Sequence, residues 1–84
     1  VSKRLKLIQR FKNKPTDFTW HELEQLLANY GFEILQAGKT SGSRTKFIHT
    51  VHPVIFLHRP HPSQILKRYQ MEYIYDYLFN EALL

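Results

Sequence analysis

The chain reads as an α+β domain whose elements run in the order α-α-β-β-β-α. Three observations carry that reading. Apolar residues recur at helical spacing in two early segments and in one closing segment. Between them lie three short runs with the alternation or apolar density of strands. Tandem turns rich in small residues or proline separate those runs, which implies an antiparallel meander. The expected architecture is a three-stranded antiparallel sheet with the helices on one face.

Residues 3–13 predict a basic helix, with Leu5, Ile8 and either Phe11 or the Lys12 stem near one stripe, and Pro15 stops it. A second helix starts sharply after Phe18. Thr19 can cap it while Glu22, three residues on, reaches back to the Thr19 amide, and Phe18 and Leu23 are placed as a hydrophobic staple. Trp20, Leu23, Leu26, Leu27 and Tyr30 supply its apolar face, and Gly31 follows as the C-terminal cap.

Phe32 to Ala37 predicts a strand, and Gly38 to Ser43 a turn of small residues. Arg44 to His49 alternates again, with Phe47 facing away from Arg44 and Lys46. A second turn spans Thr50 to Pro53, and Val54 to Leu57 predicts a short apolar strand. Arg59-Pro60-His61-Pro62 cannot be helical, because each proline holds its predecessor extended. A last helix is expected from about Lys67 to the end. Its stripe is Met71, Ile74, Tyr75, Leu78 and Ala82, with Glu72, Asp76 and Glu81 pointing elsewhere.

Eighty-four residues suffice for one small domain, here 1–84 with residues 1–14 as a basic helical extension. That length excludes an enzyme built on a large dedicated cofactor fold. The absence of cysteine excludes a disulfide framework and a thiolate metal site. No apolar run approaches the roughly 20 residues that span a bilayer, and the N-terminal stretch lacks the features of a secretory signal. A cytoplasmic location with no membrane association is the expectation.

Charge is more informative. Twelve Lys and Arg face seven Asp and Glu, a net charge of +5. No acidic residue occurs between Glu33 and Glu72, an interval holding Lys39, Arg44, Lys46, Arg59, Lys67 and Arg68 together with His49, His52, His58 and His61. Such a uniformly cationic stretch points to nucleic acid, whose phosphates supply most of the non-specific affinity for basic surfaces.

Two segments, DFTWHELEQLLANYGFEILQAGKTSGSRTKFIH and IFLHRPHPSQILKRYQMEYIYDYL, resemble the HicA toxins. The more specific parts are Gly42-Ser43 before a basic strand and His58-x-Pro60-His61-Pro62 before Ile65-Leu66-Lys67. The resemblance implies a double-stranded-RNA-binding-domain-like fold. It also implies a ribosome-independent endoribonuclease acting on messenger RNA and held inactive by a HicB-type antitoxin. The sequence departs from the family at one place. The best-studied members place a catalytic histidine within the two positions after the Gly-Ser pair, and this chain has Arg44 and Thr45 there.

Cleaving RNA without a metal requires a base for the 2′-hydroxyl, an acid for the leaving 5′-oxygen, and cations on the phosphate. Histidine suits the first two roles and arginine the third. His58 and His61 are the first candidates for proton transfer, with Arg44 on the phosphate; His49, on the strand of Arg44, is a further catalytic candidate. Lys39, Ser43, Arg44, Lys46, Arg59, Lys67 and Arg68 are the candidates for RNA contact. On helical RNA, shape and 2′-hydroxyl contacts would dominate over base edges. The spacings His49-x-x-His52 and His58-x-x-His61 resemble zinc pairs, but the interval offers neither cysteine nor carboxylate, so no metal or cofactor is expected. A second reading is an RNA-binding module that keeps the fold without the catalysis. A third function of the basic face is docking an acidic antitoxin.

Overall fold

The computed structural model describes residues 2–36 and 44–84. Among them run α1 (Lys3–Lys12), α2 (Trp20–Asn29), β1 (Glu33–Gln36), β2 (Arg44–Ile48), β3 (Ile55–His58) and α3 (Arg68–Asn80), the order expected for this α+β chain. The strands form one antiparallel sheet in the order β1-β2-β3. The turn expected at Gly38–Ser43, with Ala37 before it, lies outside the described residues.

Local chemistry sets the ends of the helices. Ser2 Oγ accepts the Leu5 amide at 3.2 Å and starts α1. The capping box of α2 is formed as the spacing requires. The Glu22 amide donates to Thr19 Oγ1 at 3.1 Å, and the Thr19 amide donates to Glu22 Oε1 at 3.0 Å. Past the end of α2, Gly31 adopts φ +94°, where a side chain is strained. A Cβ on Gly31 would also stand 3.1 Å from the His49 ring, so the site needs glycine twice over.

The inner face of the sheet and all three helices share one core. Phe11, Phe18, Trp20, Leu23, Leu26, Leu27, Phe47, Ile55, Ile74 and Leu78 are its fully buried members. Trp20 lies 5.7 Å from the Phe47 ring and joins α2 to β2. Helix α1 lies within the segment read from the sequence as an extension, and it contributes to this core. Phe11 of α1 is buried, edge-on to Phe18 at 5.3 Å and stacked with Tyr75 at 6.2 Å. Arg10 ties α1 to the start of α2, its Nε 2.8 Å from Glu22 Oε2 and one Nη 3.1 Å from Asp17 Oδ1. The hydrogen bond from Arg10 outweighs partial burial and, with the Thr19 amide, holds the Glu22 carboxyl below the usual carboxylate range.

Two boundaries differ from the sequence reading. Strand β3 runs Ile55–His58 rather than Val54–Leu57, because His58 completes the pairing with Arg44. Helix α3 begins at Arg68 with Lys67 as its N-cap, and it ends at Asn80. Ala82 lies beyond the helix at φ +61°, exposed, and so outside the apolar stripe of Met71, Ile74 and Leu78.

A candidate nucleic-acid interface

Strand alternation sorts the side chains of β2 and β3 between two environments. Thr45, Phe47, Ile55 and Leu57 are buried against the helices, while Arg44, Lys46, Phe56 and His58 are exposed on the opposite face. The antiparallel register sets Arg44 opposite His58 and Lys46 opposite Phe56. Opposed residues hold their Cβ atoms about 4.5–5.5 Å apart, so these four form one compact patch. Lys46 Nζ sits 5.7 Å from the Phe56 ring centroid, and a shallow depression is lined by Arg44, Lys46, Phe56, Leu57 and His58. Leu35 of β1 pairs with Lys46 from the other side and is half exposed.

The electrostatics of the patch are one-sided. Among the described residues, neither Arg44 nor Lys46 forms a salt bridge. Glu33 shares this face but pairs with Ile48, four residues along β2 from Arg44 and hence roughly 13 Å away.

The other sequence candidates fall around this patch unequally. Gln70, buried in the first turn of α3, donates from Nε2 to the His58 carbonyl at 2.8 Å and accepts the Lys67 amide at 3.0 Å. This tie brings the start of α3, with exposed Lys67 and Arg68, to the His58 end of the sheet. Arg68 Nε is 3.1 Å from Glu72 Oε2, a surface pair of the kind that contributes little and leaves the guanidinium in solvent. Arg59 donates to Gln64 Oε1, and Gln64 Nε2 to the Pro60 carbonyl, so Arg59 shapes the loop that His61 occupies. His61 itself is exposed. The loop is anchored beyond it by the Trp20 amide on the Gln64 carbonyl at 2.8 Å and the Leu66 amide on the Phe18 carbonyl at 2.9 Å. Lys39 and Ser43, with Gly42, lie outside the described residues.

His49 is not brought to the patch. It follows the far end of β2, on the inner side, packed 4.9 Å from the Phe32 ring. Its Nε2 is 3.1 Å from the Tyr30 carbonyl, and its Nδ1 accepts the Val51 amide at 3.0 Å. The Nε2–H tautomer satisfies both contacts, which leaves neither ring nitrogen free for a substrate. His52 beside it holds Glu81 at 2.7 Å. In the same corner Tyr77 donates to the Pro53 carbonyl, and burial, followed by the charges of Glu81 and Tyr73, pushes the phenol up to about 12. This corner ties the Thr50–Pro53 turn to α3.

Phe56, exposed beside Lys46, is not among the residues that the sequence alone singles out. Its place on the solvent face follows from its pairing with Lys46, a register that the run Val54–Leu57 does not itself encode. A second basic patch lies on the helical layer, where Lys3, Arg4 and Lys6 are exposed around Leu5. Of the two positions after Gly-Ser, Arg44 opens on the outer face and Thr45 is buried on the inner one. Among the described residues, no group of three or more His, Asp or Glu side chains could hold a metal ion, and no helix is long and apolar enough to cross a membrane.

A family model described as HicA toxin of bacterial toxin-antitoxin matches residues 20–78, from the first residue of α2 to Leu78 in α3. No curated protein and no solved structure matches the chain.

Proposed function

This chain belongs to the HicA toxin family of toxin–antitoxin systems, and from that premise we propose that it is an RNA-binding, ribosome-independent endoribonuclease that works without a metal in the cytoplasm and is neutralised by a HicB-type antitoxin. The observation that carries the reading is the cross-strand pair of Arg44 and His58, beside Lys46, on a sheet face that no described residue covers.

The chemistry follows from the groups at that face. His58 takes the proton of a ribose 2′-hydroxyl, the 2′-oxygen attacks phosphorus, and the bond to the 5′-oxygen breaks as it receives a proton from an acid. His61, in the proline-flanked loop three residues on, is the acid in this scheme. Arg44 and Lys46 bind the non-bridging oxygens, where negative charge builds in the transition state. The products are a 2′,3′-cyclic phosphate and a free 5′-hydroxyl, and no electron transfer is involved. Lys67 and Arg68 extend the phosphate track toward α3. Arg44 and Lys46, which form no salt bridge among the described residues, also suit the acidic surface of an antitoxin, which would then inhibit by covering the face.

A second reading is favoured by one observation. Arg44 and Thr45 occupy the positions where the resemblance places a histidine, and neither is a base near neutral pH. On that reading the chain grips RNA and does not cut it. Incubating the protein with messenger RNA in EDTA separates the two. Fragments ending in cyclic phosphate are expected, with binding that weakens steeply as salt rises. Bound but intact RNA would establish the second reading, and cutting that stops in EDTA would overturn the metal-free scheme.

A further inference from the structure

We infer that the outer sheet face is a platform for single-stranded RNA, on which one unpaired base stacks against Phe56 while Lys46 and Arg44 hold the adjoining phosphates. The inference rests on the RNA reading above and adds to it the form of the substrate and a residue that selects it.

Phe56 is 57% exposed although its strand neighbours Ile55 and Leu57 are buried. Its ring has no aromatic partner within the described fold. The register places it between a cationic row and open solvent. Lys46 stands opposite it, and Arg44 and His58 form the next pair on the same face. Leu35, 50% exposed, continues the row beyond Lys46 and gives the platform a second apolar contact. Strands lie about 4.8 Å apart, so the row Leu35–Lys46–Phe56 spans roughly 10 Å, the width of one or two bases.

An aromatic ring on an open sheet face, flanked by cations, is the arrangement that binds single strands, because every base has a face to stack and every nucleotide a phosphate to pair. A duplex cannot use it, since its base faces are already stacked inside the helix. The charge fits the same occupant where the phosphates would lie, because the only carboxylate on this face among the described strand residues, Glu33, is paired four β2 positions from Arg44, roughly 13 Å away, although it is only one same-face step from Leu35. The stacked base would place its own ribose or that of a neighbour beside His58, one pair along the strands. Phe56 thereby acts as a positioning residue for the cut.

The test measures fluorescence anisotropy of a labelled RNA about ten nucleotides long, within the ~4–16 nucleotides that comparable platforms cover, as a single strand and as its duplex. Phe56→Ala and Phe56→Tyr are compared with the parent, with a thermal melt confirming that each is folded. The inference predicts tighter binding of the single strand, a loss of about 5- to 150-fold in Phe56→Ala, and near-parent affinity in Phe56→Tyr. A 2-aminopurine base in the strand should be quenched by the parent and not by Phe56→Ala. Binding by Phe56→Ala within about twofold of the parent, or a parent that prefers the duplex, overturns the inference and leaves the RNA reading standing. If Phe56→Ala instead abolishes self-association on gel filtration while RNA affinity holds, the face belongs to a protein contact and the inference fails. Absence of any RNA binding at low salt removes the RNA reading itself.

Discussion

Replacing His58 with alanine is expected to lower RNA cleavage by about 100- to 10,000-fold, the range that a positioned acid or base contributes. The side chain is exposed on the outer face, so its loss leaves no cavity in the core and the variant should melt at the parent's temperature. The tie from Gln70 to this residue uses the His58 backbone carbonyl and survives the change. Binding should fall only slightly, because Arg44 and Lys46 remain. A large loss of rate with retained fold and retained affinity is the signature of a group acting on the reacting atoms. The same substitution at His49 separates chemistry from architecture. His49 bridges Tyr30 and Val51, so His49→Ala should lower stability at least as clearly as rate. Undiminished cutting by His58→Ala in single-turnover assays would remove His58 from the mechanism.

Phe11→Ala should destabilise the domain by about 3–5 kcal/mol, the cost of deleting a fully buried aromatic ring. The ring is 0% exposed and contacts both Phe18 and Tyr75, which belong to different parts of the fold. A domain of this size has only about 5–15 kcal/mol to lose, so the variant should melt tens of degrees lower. Lys3→Ala, at the exposed start of α1, should change the melt by less than about 0.5 kcal/mol. The contrast bears on how the chain is divided. The family match begins at residue 20, yet α1 completes the core beneath that match. A Phe11→Ala loss below about 1 kcal/mol, read by circular dichroism, would return residues 1–14 to the status of an appendage.

Much of the fold was written in local sequence. The Thr19–Glu22 box and the left-handed Gly31 were legible because each depends on residues within one turn of helix. The two faces of β2 were legible from its alternation of charged and apolar residues. What escaped was set by register and by distant contacts. Nothing within Val54–Leu57 says which apolar residues face the helices, since a short apolar run has no parity of its own. Pairing with β2 supplies that parity, buries Ile55 and Leu57, exposes Phe56, and extends the strand to His58. His49 could be placed on its strand but not judged as a catalyst, because the carbonyl that engages it lies 19 residues away. Likewise the Gln70 bond that brings Lys67 and Arg68 to the end of β3 joins residues 12 apart in sequence.

If RNA lies on the outer sheet face, mapping the contact by nuclear magnetic resonance shows it most directly. Titrating an RNA strand into labelled protein should perturb the amides of Arg44, Lys46, Phe56 and His58 first and most, with Lys67 and Arg68 following. Perturbation confined to Lys3, Arg4 and Lys6, with β2 and β3 unmoved, would place the nucleic acid on the helical layer and contradict the account.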